Sequence, residues 1–529
     1  MKIVVADRIS EHGIALLEEP GWRVAQPAAG ALAQELADAD ALVVRSATHV
    51  TAELLEAAPR LRVVGRAGVG IDNIDLDAAT RRGILVMNTP GGNAVSVAEH
   101  TLALLLALAR RIPTLNAAVH AGRWEKSISG IELRGKTLGL VGLGRVGVEV
   151  ARRARALEMR VLATDPYIGA KVAEELGVAL VALDELLARS DFLSLHTALS
   201  SATERILNAA TFAKMKRGAR LINTARGELV DEAALAEALR SGHLAGAAVD
   251  VFAEEPPRNS PLLGLPNLIA TPHVAGSTEE AQEEVGYLIA QQVREFLAEG
   301  VIRNAVNLPT LSAEQYRRLR PYLALAERLG SLVAQVAPRG VECIRIAYAG
   351  EPAELGTHIL RNAVLMGVLN TVLQDKANLV NAGAVAAARG LVVEEQTRRR
   401  EQGFPNTLEV AVVPATSGNG REVSAEGTVL HGTSLRILSI DGIEVESSLE
   451  GTILFTRNRD VPGVIGQIGT LLGSRGINIA TFALGRREAG GTGAEAVALV
   501  RLDGDVPESI VEPIRGVAAV TEARLVRLP

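Results

Sequence analysis

Three residues that could exchange a proton or hold an anion follow three short apolar runs. Arg226 comes after RLINTA, Glu255 after GAAVDVF and His273 after LIATP. Histidine exchanges protons readily near neutral pH, and a carboxylate within reach would orient its ring and favour the imidazolium. Arginine can bind a carboxylate through two parallel hydrogen bonds. Together these residue types predict acid–base chemistry on an anionic substrate.

Each of the three also has a structural interpretation. An arginine at a strand end can cap a helix or pair with a carboxylate, Glu255 can be a loop carboxylate, and His273 a loop imidazole. In an open parallel sheet, however, the carboxyl ends of the strands line one crevice, where ligands bind. Three such residues at the ends of successive strands therefore favour one shared site.

The elements that would position these residues alternate between Val/Ile/Leu runs and Ala-rich helical stretches over roughly the first 300 residues. A first unit is predicted to contain the strands KIVVAD, ALVVRS, LRVVGRAG and LVMNTP. A second unit is predicted to contain TLGLVGLGRVG, RVLATDP, DFLSLHTA, RLINTARG, GAAVDVF and LIATPH. The long amphipathic stretch TEEAQEEVGYLIAQQVREFLAEG is expected to return to the first unit.

The chain is an α/β protein that is expected to form four domains. Two Rossmann-like, doubly wound parallel-sheet domains are predicted, one from residues 1–97 plus 285–307 that binds substrate and one from 98–284 that binds a dinucleotide. An α+β domain over 308–450 should follow. A small βαββαβ domain over 451–529 is indicated by a strand, a Pro-Gly turn, a helix, a Gly-Ile-Asn turn and a strand.

The dinucleotide expectation comes from a glycine motif in its full structural context. Gly142-Leu143-Gly144-Arg145-Val146-Gly147 follows the run TLGLV and precedes a helical stretch. Its glycines allow a tight turn and close approach of the backbone to a pyrophosphate. Asp165, about 20 residues further on, would accept hydrogen bonds from the ribose and repel a 2′-phosphate. The motif therefore predicts NAD as cofactor.

Composition excludes several other classes of protein. The formal net charge of −6 gives no electrostatic reason to expect nucleic acid as a partner. The single cysteine, Cys343, cannot form an intrachain disulfide, which fits the cytoplasm. The apolar segment 94–111 suggests a membrane span, but it contains Glu99 and His100 and is too short, so a buried core helix is expected. No membrane partner and no metal site are predicted.

Seven stretches carry a resemblance to a known family: RSATHVT, GRAGVGIDNID, NTPGGNAVSVAEH, GLVGLGRVG, NTARGELVDE, VDVFAEEP and TPHVAGST. With them the chain resembles the D-isomer-specific 2-hydroxyacid dehydrogenases, and among them the long form that acts on D-3-phosphoglycerate. The last 80 or so residues resemble an ACT domain. Residues 309–450 resemble the intervening domain of the long form, with fewer sharp motifs.

The resemblance implies roles for the residues at the expected site. Arg226, Glu255 and His273 would be the catalytic set, with His273 exchanging the proton. The residues expected to bind NAD are Gly142, Gly144, Arg145, Val146, Gly147, Asp165, Thr197, Thr224, Ala225, Arg226, Asp250, His273, Val274, Ala275 and Gly276. Relatives often carry Thr where Val69 stands, so a hydroxyl contact to the cofactor at that position is lost here.

The substrate would be bound by backbone and by arginine. The loop Gly68-Val69-Gly70 offers N–H groups to a carboxylate. Arg45 and Arg66 each end a strand of the first unit and could hold a phosphate, and Asn93 could add a contact at a helix N-terminus. Either arginine could instead form a surface ion pair.

The ACT resemblance implies an effector. Such domains commonly pair and bind an amino acid at their interface, and Asn458, Asp460 and Asn478 lie at the positions expected to contact L-serine. Residues of these types also cap turns, and serine-responsive relatives can carry His where Asn458 stands. The family resemblance also suggests a homotetramer.

The function that this resemblance implies is NAD-dependent oxidation of D-3-phosphoglycerate to 3-phosphohydroxypyruvate, the first step of L-serine synthesis, with possible serine feedback. A close alternative is another D-2-hydroxyacid dehydrogenase, such as a hydroxypyruvate or glyoxylate reductase, which Arg45 and Arg66 argue against. An NAD-sensing corepressor and a pure amino-acid sensor are alternatives of a different class. Reduction of NAD by the protein would discriminate against both.

Overall fold

A computed structural model describes residues 1–28, 30–309, 313–337, 341–373, 377–399, 403–414, 421–487 and 494–529. The first unit is a five-stranded parallel sheet made of β1 (Lys2–Val5), β2 (Arg23–Ala25), β3 (Ala41–Val44), β4 (Val63–Arg66) and β5 (Leu85–Met87). Its connecting helices are α1 (Glu11–Leu17), α2 (Leu32–Leu36), α3 (Ala52–Glu56) and α4 (Leu76–Arg81). The spatial order β2-β1-β3-β4-β5 is that of a doubly wound sheet.

The second unit is a seven-stranded parallel sheet. Its strands are β6 (Thr137–Val141), β7 (Arg160–Thr164), β8 (Ala179–Leu180), β9 (Phe192–Leu195), β10 (Ala219–Asn223), β11 (Leu244–Val249) and β12 (Leu268–Ala270). Its helices are α5 (Ala94–Arg110), α6 (Ile112–His120), α7 (Arg145–Ala156), α8 (Ala170–Glu175), α9 (Leu183–Arg189), α10 (Ala209–Lys214) and α11 (Glu232–Arg240). The order β12-β11-β10-β9-β6-β7-β8 makes β10, β11 and β12 neighbours. Arg226, Glu255 and His273 therefore follow adjacent strands, as predicted.

Helix α12 (Glu279–Glu299) returns from the second unit to the first, also as predicted. Its Val285, Ile289 and Val293 are buried in one apolar core with β1, β3 and β4. A Cβ at Gly65 on β4 would lie 2.8 Å from the side chains of Ile289 and Val293. Glycine is required there because the helix packs directly on the strand.

Helix α5 is mostly buried, as expected for a core helix. Among the described residues, no single helix has the length and hydropathy to cross a membrane. The pair α5 and α6 meets that test together, but it is bent by 65°.

The third unit has a mixed six-stranded sheet of order β14-β13-β15-β16-β17-β18. Its strands are β13 (Val341–Ala349), β14 (Val392–Thr397), β15 (Thr407–Pro414), β16 (Val423–Leu430), β17 (Ser434–Ile440) and β18 (Ile443–Ser448). Its helices are α13 (Ala313–Val336), α14 (Glu351–Leu355), α15 (Thr357–Leu369) and α16 (Ala382–Ala388). Only the β13–β14 pair in this sheet is parallel.

The fourth unit has an antiparallel sheet of order β20-β21-β19-β22. Its strands are β19 (Thr452–Arg459), β20 (Ile479–Arg486), β21 (Glu495–Leu502) and β22 (Val520–Arg527), with helices α17 (Val464–Gly473) and α18 (Val511–Arg515). The chain order β19-α17-β20-β21-α18-β22 is the predicted βαββαβ pattern. All four parts of the predicted fold class are confirmed.

One apolar core crosses from the third unit into the fourth. Helices α17 and α18 cover one face of the fourth sheet. On its other face, Ile453, Phe455 and Val497 belong to the same buried cluster as Leu329 of α13 and Ile346 of β13. The two sheets are therefore packed as one body around a shared core.

A buried ion cluster reinforces this contact. Arg457 of β19, whose side chain is 5% exposed, pairs with Asp441 in the turn between β17 and β18. Its guanidinium also lies 3.3 Å from a Glu495 carboxylate oxygen and 3.2 Å from one of Glu522. Arg421 lies 2.6 Å from the same Glu495 oxygen. We call these five residues the junction cluster.

Candidate active site

A cleft of about 630 Å³ lies at the carboxyl ends of the first two sheets. Both units contribute to its wall, with Arg66 and Gly70 from the first and Arg145 and Arg226 from the second. The predicted site residues that line it are Arg66, Val69, Gly70, Asn93, Arg145, Val146, Thr197, Thr224, Ala225, Arg226, His273, Ala275 and Gly276. Most of the predicted site is therefore brought together at one place.

His273 and Glu255 form a hydrogen-bonded pair. The Nδ1 atom of His273 lies 2.7 Å from Oε2 of Glu255, and the other carboxylate oxygen accepts from the backbone N–H of Phe252 at 3.1 Å. Because a carboxylate accepts, Nδ1 carries the proton and Nε2 is left to exchange one with a ligand. Glu255 thus lies behind the imidazole, outside the cleft wall, where it can fix the ring and stabilise its charged form.

Asp250 holds the backbone of the loop that carries His273. It is completely buried, and its carboxylate accepts hydrogen bonds from the N–H groups of Val274 at 3.0 Å and Ala275 at 2.8 Å. Its carbonyl oxygen accepts from the N–H of His273, which has a φ of 53°. A left-handed backbone at a non-glycine residue has to be held by its surroundings. Asp250, which we expected to contact NAD, therefore holds the histidine loop and does not line the cleft.

Arg226 projects into the cleft with one side of its guanidinium fixed. Nη1 donates to the carbonyl of Ala225 at 2.7 Å, while Nη2 lies 3.2 Å from an oxygen of Asp72. The Arg226 side chain is 28% exposed. It is thus oriented by its own chain and still accessible to a ligand carboxylate.

Arg66 adds a second partly buried cation to the cleft. Burial lowers its pKa, and the charges of Arg226 and Arg45 lower it further, while Asp72 and Asp7 raise it. Its Nε atom is buried and has no hydrogen-bond partner among the described residues. Such an arrangement favours an anionic ligand, because the ligand would relieve the repulsion between the cations.

Arg45 lies beside Arg66 but does not line the cleft. Its Nη1 donates to the carbonyl of Arg8 at 3.3 Å. Arg66 pairs in register with Val44, the residue that precedes Arg45, on the neighbouring strand. The Arg45 guanidinium is thus held at one nitrogen by the backbone of the first unit.

The glycine loop is anchored through its carbonyl groups. The Gly68 carbonyl accepts from the N–H of Thr89 at 3.0 Å, and the Val69 carbonyl from the side chain of Asn88 at 2.6 Å. The N–H groups of this loop are then free to face an anion. Asn93 begins α5 nearby, with its amide 2.6 Å from where a Cβ of Gly276 would be.

The nucleotide loop fits a dinucleotide in three ways. A Cβ at Gly142 would meet the His196 carbonyl at 2.7 Å, and a Cβ at Gly147 would meet the Gly142 carbonyl at 2.4 Å. Gly144, the N-cap of α7, has open space around it. Gly142 and Gly147 are required because a side chain at either position would collide with the backbone of the tight turn. Gly144 leaves room for a pyrophosphate at the helix N-terminus.

Asp165 binds the glycine loop itself. One of its oxygens accepts from the N–H of Leu143 and the other from the N–H of Tyr167, both at 2.8 Å. A carboxylate has about four lone-pair sites, so two remain for ribose hydroxyls. The side chain therefore shapes the loop in addition to its expected role.

Two titratable residues of the cleft wall were not predicted from the sequence. His196 follows β9, and burial lowers its pKa to about 4, so it lies neutral under the glycine loop with Nε2 2.9 Å from the Ser194 hydroxyl. Its place at a strand end was a usable signal. Asp72 lies within the quoted GRAGVGIDNID, but nothing in that stretch indicates its pairing with Arg226.

The three expected serine contacts do not meet within one chain. Asn458 and Asp460 lie where β19 pairs with the start of β21, whereas Asn478 precedes the residue that pairs with its end. At about 3.3 Å per residue, this separation is roughly 20 Å. Asn458 is buried with a free side-chain oxygen among the described atoms, Asp460 pairs with Arg486 at 3.3 Å, and Asn478 donates to Asp503 at 2.7 Å. A site made of all three requires a second copy of the chain.

Family models match three parts of the chain. Residues 102–275 match the NAD-binding domain of the D-isomer specific 2-hydroxyacid dehydrogenases, 318–441 the intervening domain of D-3-phosphoglycerate dehydrogenase, and 451–519 the ACT domain. The chain thus contains the NAD-binding domain of these dehydrogenases, and NAD is its cofactor.

Similar solved structures cover more than half of the chain. A glyoxylate reductase from Paecilomyes thermophila is 31% identical with a TM-score of 0.52, covering 58% of this chain and 98% of its own. An NAD-dependent formate dehydrogenase from Staphylococcus aureus, solved with NAD, is 31% identical with a TM-score of 0.52, covering 59% of this chain and 100% of its own.

Curated relatives match over the full length. A D-3-phosphoglycerate dehydrogenase of Methanocaldococcus jannaschii is 42% identical, and one of Bacillus subtilis is 39% identical, each covering 100% of both chains. The chain therefore belongs to the D-3-phosphoglycerate dehydrogenase family of D-isomer specific 2-hydroxyacid dehydrogenases.

Proposed function

We propose that this protein oxidises D-3-phosphoglycerate to 3-phosphohydroxypyruvate with NAD, the first step of L-serine synthesis. The observation that carries the proposal is one cleft in which His273, paired from behind with Glu255, lies with the cations Arg226 and Arg66. A 2-hydroxy acid that also bears a phosphate matches a proton acceptor flanked by separate anion sites. The full-length relatives support the same substrate.

The chain's own residues would accept the proton of the substrate hydroxyl and orient the substrate. Nε2 of His273 would take the proton of the substrate hydroxyl, and Glu255 would stabilise the imidazolium that forms. Arg226 would bind the carboxylate through its Nη2 side and polarise the neighbouring oxygen. NAD, when bound, would supply the acceptor for the hydride that leaves the carbon bearing this hydroxyl.

The other binding roles remain part of the proposal. Arg66 and Arg45 would hold the phosphate, the N–H groups of Gly68, Val69 and Gly70 the carboxylate, and Asn93 a further oxygen. Thr197, Thr224, Asp165 and the loop after His273 would contact NAD. The enzyme would act in the cytoplasm, in keeping with the lone Cys343.

L-serine is proposed as a feedback inhibitor that binds between ACT domains of two copies. The separation of Asn478 from Asn458 and Asp460 within one chain supports a site shared between copies. Such pairing would contribute to the homotetramer that the family resemblance suggests. Inhibition requires serine to bind one arrangement of the enzyme better than another.

The test is NADH absorbance with NAD and D-3-phosphoglycerate at alkaline pH, repeated with millimolar L-serine. NADH formation that serine suppresses is expected. Formation without suppression would leave the ACT domain with an assembly role. No NADH from this substrate would contradict the proposal, and hydroxypyruvate and glyoxylate would then be tried with NADH.

A further inference from the structure

The Asp72–Arg226 ion pair crosses the cleft. Asp72 follows β4 in the first unit and Arg226 follows β10 in the second, and their side chains meet at 3.2 Å. The loop is close enough that a Cβ at Gly70 would lie 2.4 Å from Nη2 of Arg226. Both residues line the cleft. The pair thus stands in the space that an anionic ligand would enter.

Asp72 contacts the accessible side of Arg226. Nη1 of Arg226 is held by the Ala225 carbonyl, which leaves Nη2 for an external carboxylate. The Asp72 oxygen is beside that nitrogen. A carboxylate of the protein and one of a 2-hydroxy acid would compete for this nitrogen, because they are the same chemical group.

Asp72 can leave this position at small cost. Its side chain is 71% exposed, so its charge is well hydrated when it turns to solvent. Exposed ion pairs contribute little to stability and are screened by salt. Arg226, which is more buried, would be left with an unpaired charge unless a ligand replaced Asp72.

We propose that Asp72 is an internal competitor that occupies Arg226 in the free enzyme and yields it to the substrate carboxylate. Asp72 therefore sets the affinity of the cleft for carboxylates without taking part in proton transfer. Its charge also offsets those of Arg226 and Arg66, which prevents the empty cleft from holding other anions tightly. This inference rests on the proposed function for the identity of the substrate.

The test compares Asp72→Asn with Asp72→Glu, which keeps the charge, and with Asp77→Asn. Asp77 is an exposed carboxylate in the first turn of α4. Asp72→Asn is expected to lower KM for D-3-phosphoglycerate about two- to fivefold at low salt, with kcat within twofold of the wild-type value. The difference should shrink as ionic strength rises. Asp77→Asn should behave like the wild-type protein, and Asp72→Glu should not reproduce the fall in KM expected with Asp72→Asn, because it keeps the competing charge.

Calorimetry with oxalate on the enzyme loaded with NADH separates this inference from the proposed function. Oxalate is a small carboxylate ligand for any 2-hydroxyacid site, so its binding does not depend on which substrate is oxidised. Binding two- to fivefold tighter to Asp72→Asn is expected. Binding no tighter than to the wild-type protein would overturn the inference, as would a tenfold fall in kcat, which would show that Asp72 positions Arg226 for catalysis. Failure of the wild-type protein to oxidise D-3-phosphoglycerate would instead contradict the proposed function alone.

Discussion

The cleft and the junction cluster both contain several arginines, but the two regions differ in how many carboxylates pair with them. In the junction cluster, the Arg457 guanidinium is met by three carboxylates from both of the units that it joins. In the cleft, Arg226 has one exposed carboxylate and the Nε atom of Arg66 has no described partner. The first arrangement is complete within the chain, whereas the second is complete only when an anion binds.

This difference separates a structural charge from a functional one. A buried cation with all its partners fixes how two surfaces pack, and its removal leaves the charges of the carboxylates unpaired. A cation whose partners are missing or mobile can still form hydrogen bonds and ion pairs with a ligand. The partners of an arginine, more than its burial, therefore tell which role it has here.

The largest expected effect is a loss of turnover when His273 is removed from the cleft. His273→Ala should lower kcat by about a hundredfold to ten-thousandfold, because the proton acceptor is lost, while the Kd for NAD changes little. Steady-state NADH formation and calorimetric NAD binding measure the two quantities. His12 offers a matched control, since its Nδ1 also lies 2.6 Å from a glutamate, Glu283, but far along the surface with the ring 83% exposed. Unchanged turnover in His273→Ala would remove the residue from proton transfer.

Breaking the junction cluster should cost stability and leave catalysis alone. Arg457→Ala is expected to destabilise the packing of the last two units by about 3–5 kcal/mol, because three carboxylates lose their shared cation. Thermal unfolding followed by calorimetry would show a transition at lower temperature, with KM for both substrates unchanged. The control is Arg501→Ala, which removes a surface pair with Glu450. Equal decreases in the unfolding temperature of Arg457→Ala and Arg501→Ala would contradict the structural role of the junction cluster.

A smaller effect should separate the two anion sites of the cleft. Arg45→Ala is expected to raise KM for the phosphorylated substrate about tenfold or more, because a charged hydrogen bond to phosphate is lost. KM for unphosphorylated hydroxypyruvate should hardly change. Arg8→Ala, at the neighbouring exposed residue, is the control. Equal losses with both substrates would mean that Arg45 has a structural role.

The smallest effect concerns pH at the junction cluster. Hydrogen bonding to Arg421, with Arg487 and the charge of Arg457 adding to it, lowers the pKa of Glu495 from 4.5 to about 2. A carboxylate with a depressed pKa stabilises the fold above its usual pKa, and the stabilisation is lost as the pH falls toward the folded-state value. Melting temperatures should therefore fall more steeply between about pH 4.5 and pH 2 in the wild-type protein than in Glu495→Gln. The exposed Glu446 supplies a control substitution, and parallel curves for wild type and Glu495→Gln would refute the assignment.

Sequence patterns were enough to predict the parallel sheets and to place the three residues of the proposed catalytic set after adjacent strands. Apolar runs ending in Arg226, Glu255 and His273 placed these residues at one edge because strand ends share a side in such sheets. Short or polar strands were missed: β8 has two residues, and β14 is an exposed edge strand with the sequence VVEEQT.

Contacts between distant segments could not be read from the sequence. The type of Asp250 suited a cofactor contact, but its burial and its bonds to the following loop depend on the packing of β11 against β12. The pairing of Asp72 with Arg226 depends on how two separately folded sheets face each other. In the same way, the distance between Asn458 and Asn478 follows from strand direction, which a list of motif residues does not contain.

The core shared by the third and fourth units has a consequence for how this chain could be shortened or recombined. Ending it after residue 450 would remove Ile453 and Phe455 from the core that also contains Leu329, and moving residues 451–529 alone to another protein would expose Phe455 on their open face. Both fragments would tend to aggregate through these surfaces. A fragment that contains the fourth unit and can be transferred intact would therefore have to begin near α13.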